Sequence, residues 1–127
     1  MPTSFRFEEQ EDHLLGFLHF DYTPEGVIES IEAILKACAR TGKYLVLVDM
    51  RSMQEEIGAS AKAMMGFTVE QELRRRVHDP AKMPRVAFIG SAPHILSFRP
   101  ARDHFISVGL PFNVFTDEEK ARAWLFA

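Results

Sequence analysis

The chain opens on an alternation: Phe5 and Phe7 are apolar, Arg6 and Glu8 polar. A period of two predicts a strand over residues 5–10, a tight turn at Glu11-Asp12 and a second strand over 13–20. In the second strand Leu14, Leu18 and Phe20 form the stronger set, with Gly16 between them. His13, Leu15, Phe17 and His19 form a partly apolar second set. Gly16 marks a bulge or a close backbone approach. The period then lengthens. Val27, Ile28, Ile31, Ile34, Leu35 and Cys38 recur at helical spacing, with Glu29, Glu32, Lys36 and Arg40 opposite. Thr23 caps this helix, Pro24 occupies its first position and Gly42 ends it.

Residues 43–49 are a continuous run of β-formers, as are Val86 to Ile89 within 84–90. Unbroken apolarity means cover on both faces, so these are central, parallel strands. A loop over 51–59 leads to a helix over about 60–77, on which Gly66, Val69, Leu73 and Val77 share one face. Met64 and Phe67 lie about 100–160° away from that face. Two bulky apolar side chains off the buried stripe predict either a second contact surface or a lid over a cleft. His78-Asp79-Pro80 breaks the helix, and residues 91–98 read as loop. Pro100 starts a third helix that turns Ala101, Phe105 and Ile106 inward and ends at Gly109. Residues 112–115 form the last strand. Thr116 caps the last helix in a capping box with Glu119, and Ala121, Trp124 and Leu125 are its buried stripe. The order ββαβαβαβα predicts one α/β domain over residues 1–127: a mixed, mostly parallel five-stranded sheet with about four helices.

Length and composition fit that reading. The 127 residues suffice for one core without staples, and 46% are apolar. Eleven Phe residues imply an aromatic-rich core or an apolar cleft. A net charge of −3 without a basic stripe argues against nucleic acid as a partner. The one basic run, Arg74-Arg75-Arg76, is flanked by Glu70 and Glu72 and reads as a solvated helix end. Cys38 is the sole cysteine; on an apolar helix face it is a buried free thiol and fits a reducing compartment. No signal peptide and no apolar run approaching ~18 residues is present, so a cytoplasmic protein without a transmembrane segment is expected.

Ligands of open α/β sheets lie beyond the carboxyl ends of the parallel strands. Those ends supply Asp49, Arg51 and Ser52 from one strand and Gly90, Ser91 and His94 from the next. Such a group could hold a small anion or a partner side chain; equally, Asp49 can pair with Arg51 and Gly90-Ser91 can be an ordinary turn. Met64, Met65 and Phe67, with Phe88, Ile95, Leu96 and Phe98, could instead line an apolar cleft. No histidine pair has zinc-helix spacing, and with one Cys no metal site or cofactor is expected. His13 and His19 stand about 20 Å apart along a strand and cannot share a metal. No nucleophile elbow, phosphate loop or dinucleotide fingerprint is present, so nothing marks an enzyme.

Several segments together resemble one family. These are the opening strand pair, Val48-Asp49-Met50-Arg51, Phe88-Ile89-Gly90 and the finish Phe115-Thr-Asp-Glu-Glu-Lys-Ala-Arg-Ala-Trp-Leu125. They are similar to the SpoIIAA-like proteins of the STAS superfamily, often described alongside the CRAL–TRIO lipid-transfer fold. The resemblance implies a small mixed sheet packed on helices, acting as a non-enzymatic regulatory or protein-interaction module in bacteria, with a protein partner or a second copy as its ligand. A small carrier or sensor for an apolar or amphipathic ligand, bound beside residues 60–77, is the alternative. Better-known STAS relatives antagonise anti-sigma factors through a serine phosphorylated in an Asp-Ser-Ser-Gly-type motif. Here the corresponding stretch is Met53-Gln-Glu-Glu-Ile-Gly-Ala-Ser60, without that motif. Ser60 is the nearest positional equivalent and Ser52 a second candidate, near which Glu55 and Glu56 would repel an added phosphate.

Overall fold

The computed structural model describes residues 4–19, 23–52, 59–92, 95 and 98–127, without the side chains of 59–63. β1 (Ser4–Glu9) and β2 (Leu14–His19) form an antiparallel hairpin. Three crossovers follow, through α1 (Pro24–Thr41), β3 (Leu45–Asp49), α2 (Ala59–Arg76), β4 (Arg85–Ile89), α3 (Arg99–Ser107) and β5 (Phe112–Phe115). α4 (Glu118–Leu125) closes the chain. The sheet order is β1-β2-β3-β4-β5, with every pair from β2 onward parallel. The expected mixed five-stranded sheet is therefore present, with four helices among the described residues.

Strand succession decides the layering. Each right-handed crossover steps to the next strand in the same direction, so α1, α2 and α3 all fall on one face. Their apolar stripes meet Leu14, Leu18, Val46, Val48, Val86, Phe112 and Val114 there. Among the described residues the other face has only α4, whose Ala121 and Leu125 cover Leu47, Ala87 and Ile89. Hence β3 and β4 are buried on both faces, as their unbroken apolarity predicts. β2 alternates because α4 does not reach across it: Leu14, Gly16 and Leu18 are buried, while Leu15, Phe17 and His19 are half-exposed. The Arg6 guanidinium lies over the Phe17 ring at 4.4 Å.

The first helix carries its sequence signals as expected. Thr23 Oγ1 accepts from the Gly26 amide at 3.0 Å, and Gly42 ends the helix at φ 73°. Gly16 is a close approach and not a bulge. The β1–β2 register runs unbroken through Phe7↔Gly16, and a Cβ at Gly16 would stand 3.0 Å from the Phe7 ring. Cys38 is buried, and desolvation pushes its thiol pKa up to about 12.

Three expectations need correction. Ile106 does not face the core; it is 60% exposed, because the buried stripe of α3 is Ala101 and Phe105 and the next residue lies a further 100° round. The last helix is capped by Asp117 and not by Thr116. The Asp117 carboxylate accepts from the Glu119 and Lys120 amides at 2.8 and 3.3 Å, which a shorter hydroxyl one residue earlier does not do. Within 91–98, read as loop, the Ile95 amide donates to the Ser91 carbonyl at 2.9 Å, a helical turn. No described helix is long and apolar enough to cross a membrane.

Two measurements check these points. Asp117→Ala should cost about 1 kcal/mol in urea denaturation, whereas Thr116→Ala should stay within about 0.5 kcal/mol. The Cys38 thiol should resist alkylation at pH 8 in the native protein and react at the rate of global unfolding.

Candidate functional site

β3 and β4 pair in parallel from Leu45↔Arg85 to Asp49↔Ile89, so Asp49 and Gly90 reach a common rim. The Met50 amide donates to the Ile89 carbonyl at 2.8 Å and the Gly90 amide to Phe115 at 3.0 Å. At this rim the alternation of side chains splits the expected constellation between the two faces. Asp49 turns toward the α4 side. Its Oδ1 accepts from the Arg51 amide and Nε, both at 3.0 Å, and its Oδ2 from Arg51 Nη2 at 2.7 Å. Glu118 of α4 takes Arg51 Nη2 at 3.3 Å. The hydrogen bonds from Arg51 hold the Asp49 carboxyl below its ordinary pKa. Asp49 is thus an engaged carboxylate, tied through Arg51 to Glu118 of α4. Ser52 and Ser91 are exposed beside it, and Gly90 is buried. His94, Leu96 and the side chain of Ser60 lie outside the described residues.

On the opposite face Met50 is buried, and with Met65, Phe88, Phe98, Ala101 and Phe105 it lines an apolar cavity of about 30 Å³. Met65, Phe88 and Phe98 stand where the cleft was expected. Met64 and Phe67 do not reach it.

Met64 and Phe67 instead project from the outer face of α2, 63% and 53% exposed. α2 and α3 meet closely here. A Cβ at Gly66 would lie 3.2 Å from Ala101 Cα and 3.2 Å from His104 Cβ, so only glycine permits this approach without a shift. The approach brings His104 under Phe67, the rings stacked with centroids 4.9 Å apart. His104 Nε2 is bonded to Glu70 Oε1 at 2.7 Å, and Arg74 Nε donates to Glu70 Oε2 at 2.8 Å. These bonds, Arg74 first and His104 second, hold the Glu70 carboxyl below its ordinary range. Phe67 is therefore an exposed aromatic ring held on a braced platform.

Sequence reading placed Phe67 off the buried stripe but did not find His104, 34 positions from Glu70 along the chain. Nor did it find Glu118 as the third member of the rim cluster. The i,i+4 pair Glu70–Arg74 was the one signal available. Two of the three arginines form the expected solvated helix end, Arg74 paired with Glu70 and Arg75 with Glu72, whereas the half-buried Arg76 pairs with Glu72 and with Glu32 of α1.

The Asp49–Arg51 contact has a pH signature. A depressed carboxylate contributes stability above its unfolded pKa, about 3.9. That contribution is lost as pH falls through the lower folded value. Because Arg51 is half-exposed, solvent screening limits the effect to about 0.5 kcal/mol. Asp49→Asn should flatten the acid limb of a stability–pH profile below about pH 4 and leave its neutral limb parallel to the wild type.

The SpoIIAA-like family model matches residues 18–126. No curated protein and no solved structure matches the chain. The match spans both central strands, the rim and the α2–α3 face, in the element order and sheet just described. On that footing the chain belongs to the SpoIIAA-like, STAS-related family.

Proposed function

We propose that this domain is a non-enzymatic regulatory module that works by contact with a protein partner, through the outer face of α2. The observation that carries the reading is Phe67: half-exposed, next to exposed Met64, and stacked on a His104 ring that Glu70 and Arg74 brace. An aromatic side chain already held in one position loses little freedom when a partner covers it. Met64 beside it supplies an adaptable apolar surface. The rim fits the same reading, because both Asp49 oxygens are engaged by Arg51. The lone buried thiol fits a cytoplasmic setting.

The carrier alternative draws on the same helix but asks for a different interior. Pockets for drug-sized ligands occupy roughly 300–1,000 Å³. The apolar cavity lined by Met50, Met65 and Phe88 is about 30 Å³, the size of one water molecule, whereas a more open cleft of about 500 Å³ lies past the end of α2, between Val77, His78, Met83 and Pro111. A mass retained through native mass spectrometry would favour the carrier.

A photo-crosslinking residue at position 67 should capture a defined protein in stoichiometric amount, and one at Lys36, exposed on α1, should not. Phe67→Ser should lower capture from a neighbouring probe at position 64 about tenfold or more, with stability changed by about 1 kcal/mol or less. Equal yields at 67 and 36 would sink the reading.

A further inference from the structure

The two edges of the sheet are finished differently. In β5 the residues whose backbone groups turn away from β4 are Phe112 and Val114, since Pro111 and Phe115 carbonyls accept from β4-side amides. Both outward amides are already used. That of Phe112 donates to the Leu110 carbonyl at 2.9 Å, and that of Val114 to Asn113 Oδ1 at 2.8 Å. The β5 edge offers no donor to another strand.

Among the described residues the β1 edge is open. The Gln10 amide donates to the His13 carbonyl at 2.9 Å, which makes 10/13 a hydrogen-bonded pair. In an antiparallel ladder such pairs recur every second residue, so Glu8, Arg6 and Ser4 face β2. Phe5, Phe7 and Glu9 then present their amides and carbonyls outward. Among the described residues none accepts from those three amides. The sheet ends there, with β1 as its outermost strand.

We infer that β1 is a self-association edge, at which a second copy of this chain pairs antiparallel about a two-fold axis through Phe7. Extent and charge together select this register: sums of 10 and 18 pair only one of Phe5, Phe7 and Glu9 within that set, and charge decides among the longer pairings. Outward backbone groups sit on odd-numbered residues, so the paired positions must sum to an even number. A sum of 12 sets Arg6 against Arg6, and a sum of 16 sets Glu8 against Glu8. A sum of 14 sets Arg6 of each copy against Glu8 of the other, Phe7 against Phe7, and Phe5 against Glu9. Arg6 and Glu8 fall in the non-hydrogen-bonded pairs, where side chains approach most closely. They already attract within one chain at 3.5 Å, so the dimer interleaves two such pairs into a ring of alternating charge. The three hydrogen-bonded pairs supply about six backbone bonds. There is room above the sheet as well. α1 rests over β1 and β2, so its counterpart would lie two strand spacings away, about 10 Å, a helix-packing distance. This edge is separate from the α2–α3 face, and the inference does not rest on the contact function proposed for that face.

The test is sedimentation equilibrium on the full chain, with charge-reversed variants. Wild-type protein should form dimers. Arg6→Glu and Glu8→Arg should each weaken self-association roughly tenfold or more, since each sets like charges opposite one another twice. An equimolar mixture of the two single variants should form heterodimers with near wild-type affinity, and the double reversal should restore the homodimer. Hydrogen exchange on the wild type gives a readout free of any variant: the Phe5, Phe7 and Glu9 amides should gain protection as concentration rises. Phe67→Ser should leave the dimer intact, which separates this result from that of the partner-contact experiment. A monomer at about 100 μM, a mixture that fails to associate, or a dimer lost on Phe67→Ser and unaffected by Arg6→Glu would overturn the inference.

Discussion

The parallel pairing of β3 with β4 is the contact on which everything else hangs. Residues 45–49 and 85–89 lie in register at the middle of the sheet, and each needs apolar cover above and below. Three successive crossovers place α1, α2 and α3 above them, and α4 must then supply the cover below. Because α4 is only eight residues long, it spans β3 to β5, and among the described residues no helix covers the far side of β1 and β2. The division into a thick helical face and a thin one follows from strand order, not from any single residue.

The α2–α3 face and the rim are both consequences of that division. The thick face packs α2 against α3 so closely that a Cβ at Gly66 would need its neighbours to shift, and this closeness carries His104 beneath Phe67. The thin face receives Asp49, whose carboxylate is held by Arg51, with Glu118 completing the cluster. Two groups of residues that look alike in sequence, polar at a strand exit and apolar off a helix stripe, thus take different parts. The first locks the sheet to its closing helix. The second remains at the surface of α2.

Much of the architecture was legible because each element carries its own periodicity and punctuation. The helix from Pro24 to Thr41 has a capping threonine, an early proline and a terminal glycine, and each acts locally. The two central strands are continuous β-formers, which only two-sided burial explains. Reading failed where two adjacent residues could do the same job. Thr116 and Asp117 can both cap α4, and the winner depends on where the β5 exit sets the first helical amide. Ile106 misled for a related reason: apolar character at the edge of a stripe does not say whether a neighbour exists to cover it. The cleft expectation was half right, since Met65, Phe88 and Phe98 do converge, but on a space of about 30 Å³.

Local sequence determined the identity and order of the elements, the central place of residues 45–49 and 85–89, and the outward position of Met64 and Phe67, because periodicity, caps and propensity act over a few residues. Only the tertiary structure decided that Asp49 and Met50 serve opposite faces, that Glu118 joins Arg51, and that His104 braces Phe67. Those contacts join residues 34 to 67 positions apart, through distances set by helix packing and sheet register, and no local pattern encodes them.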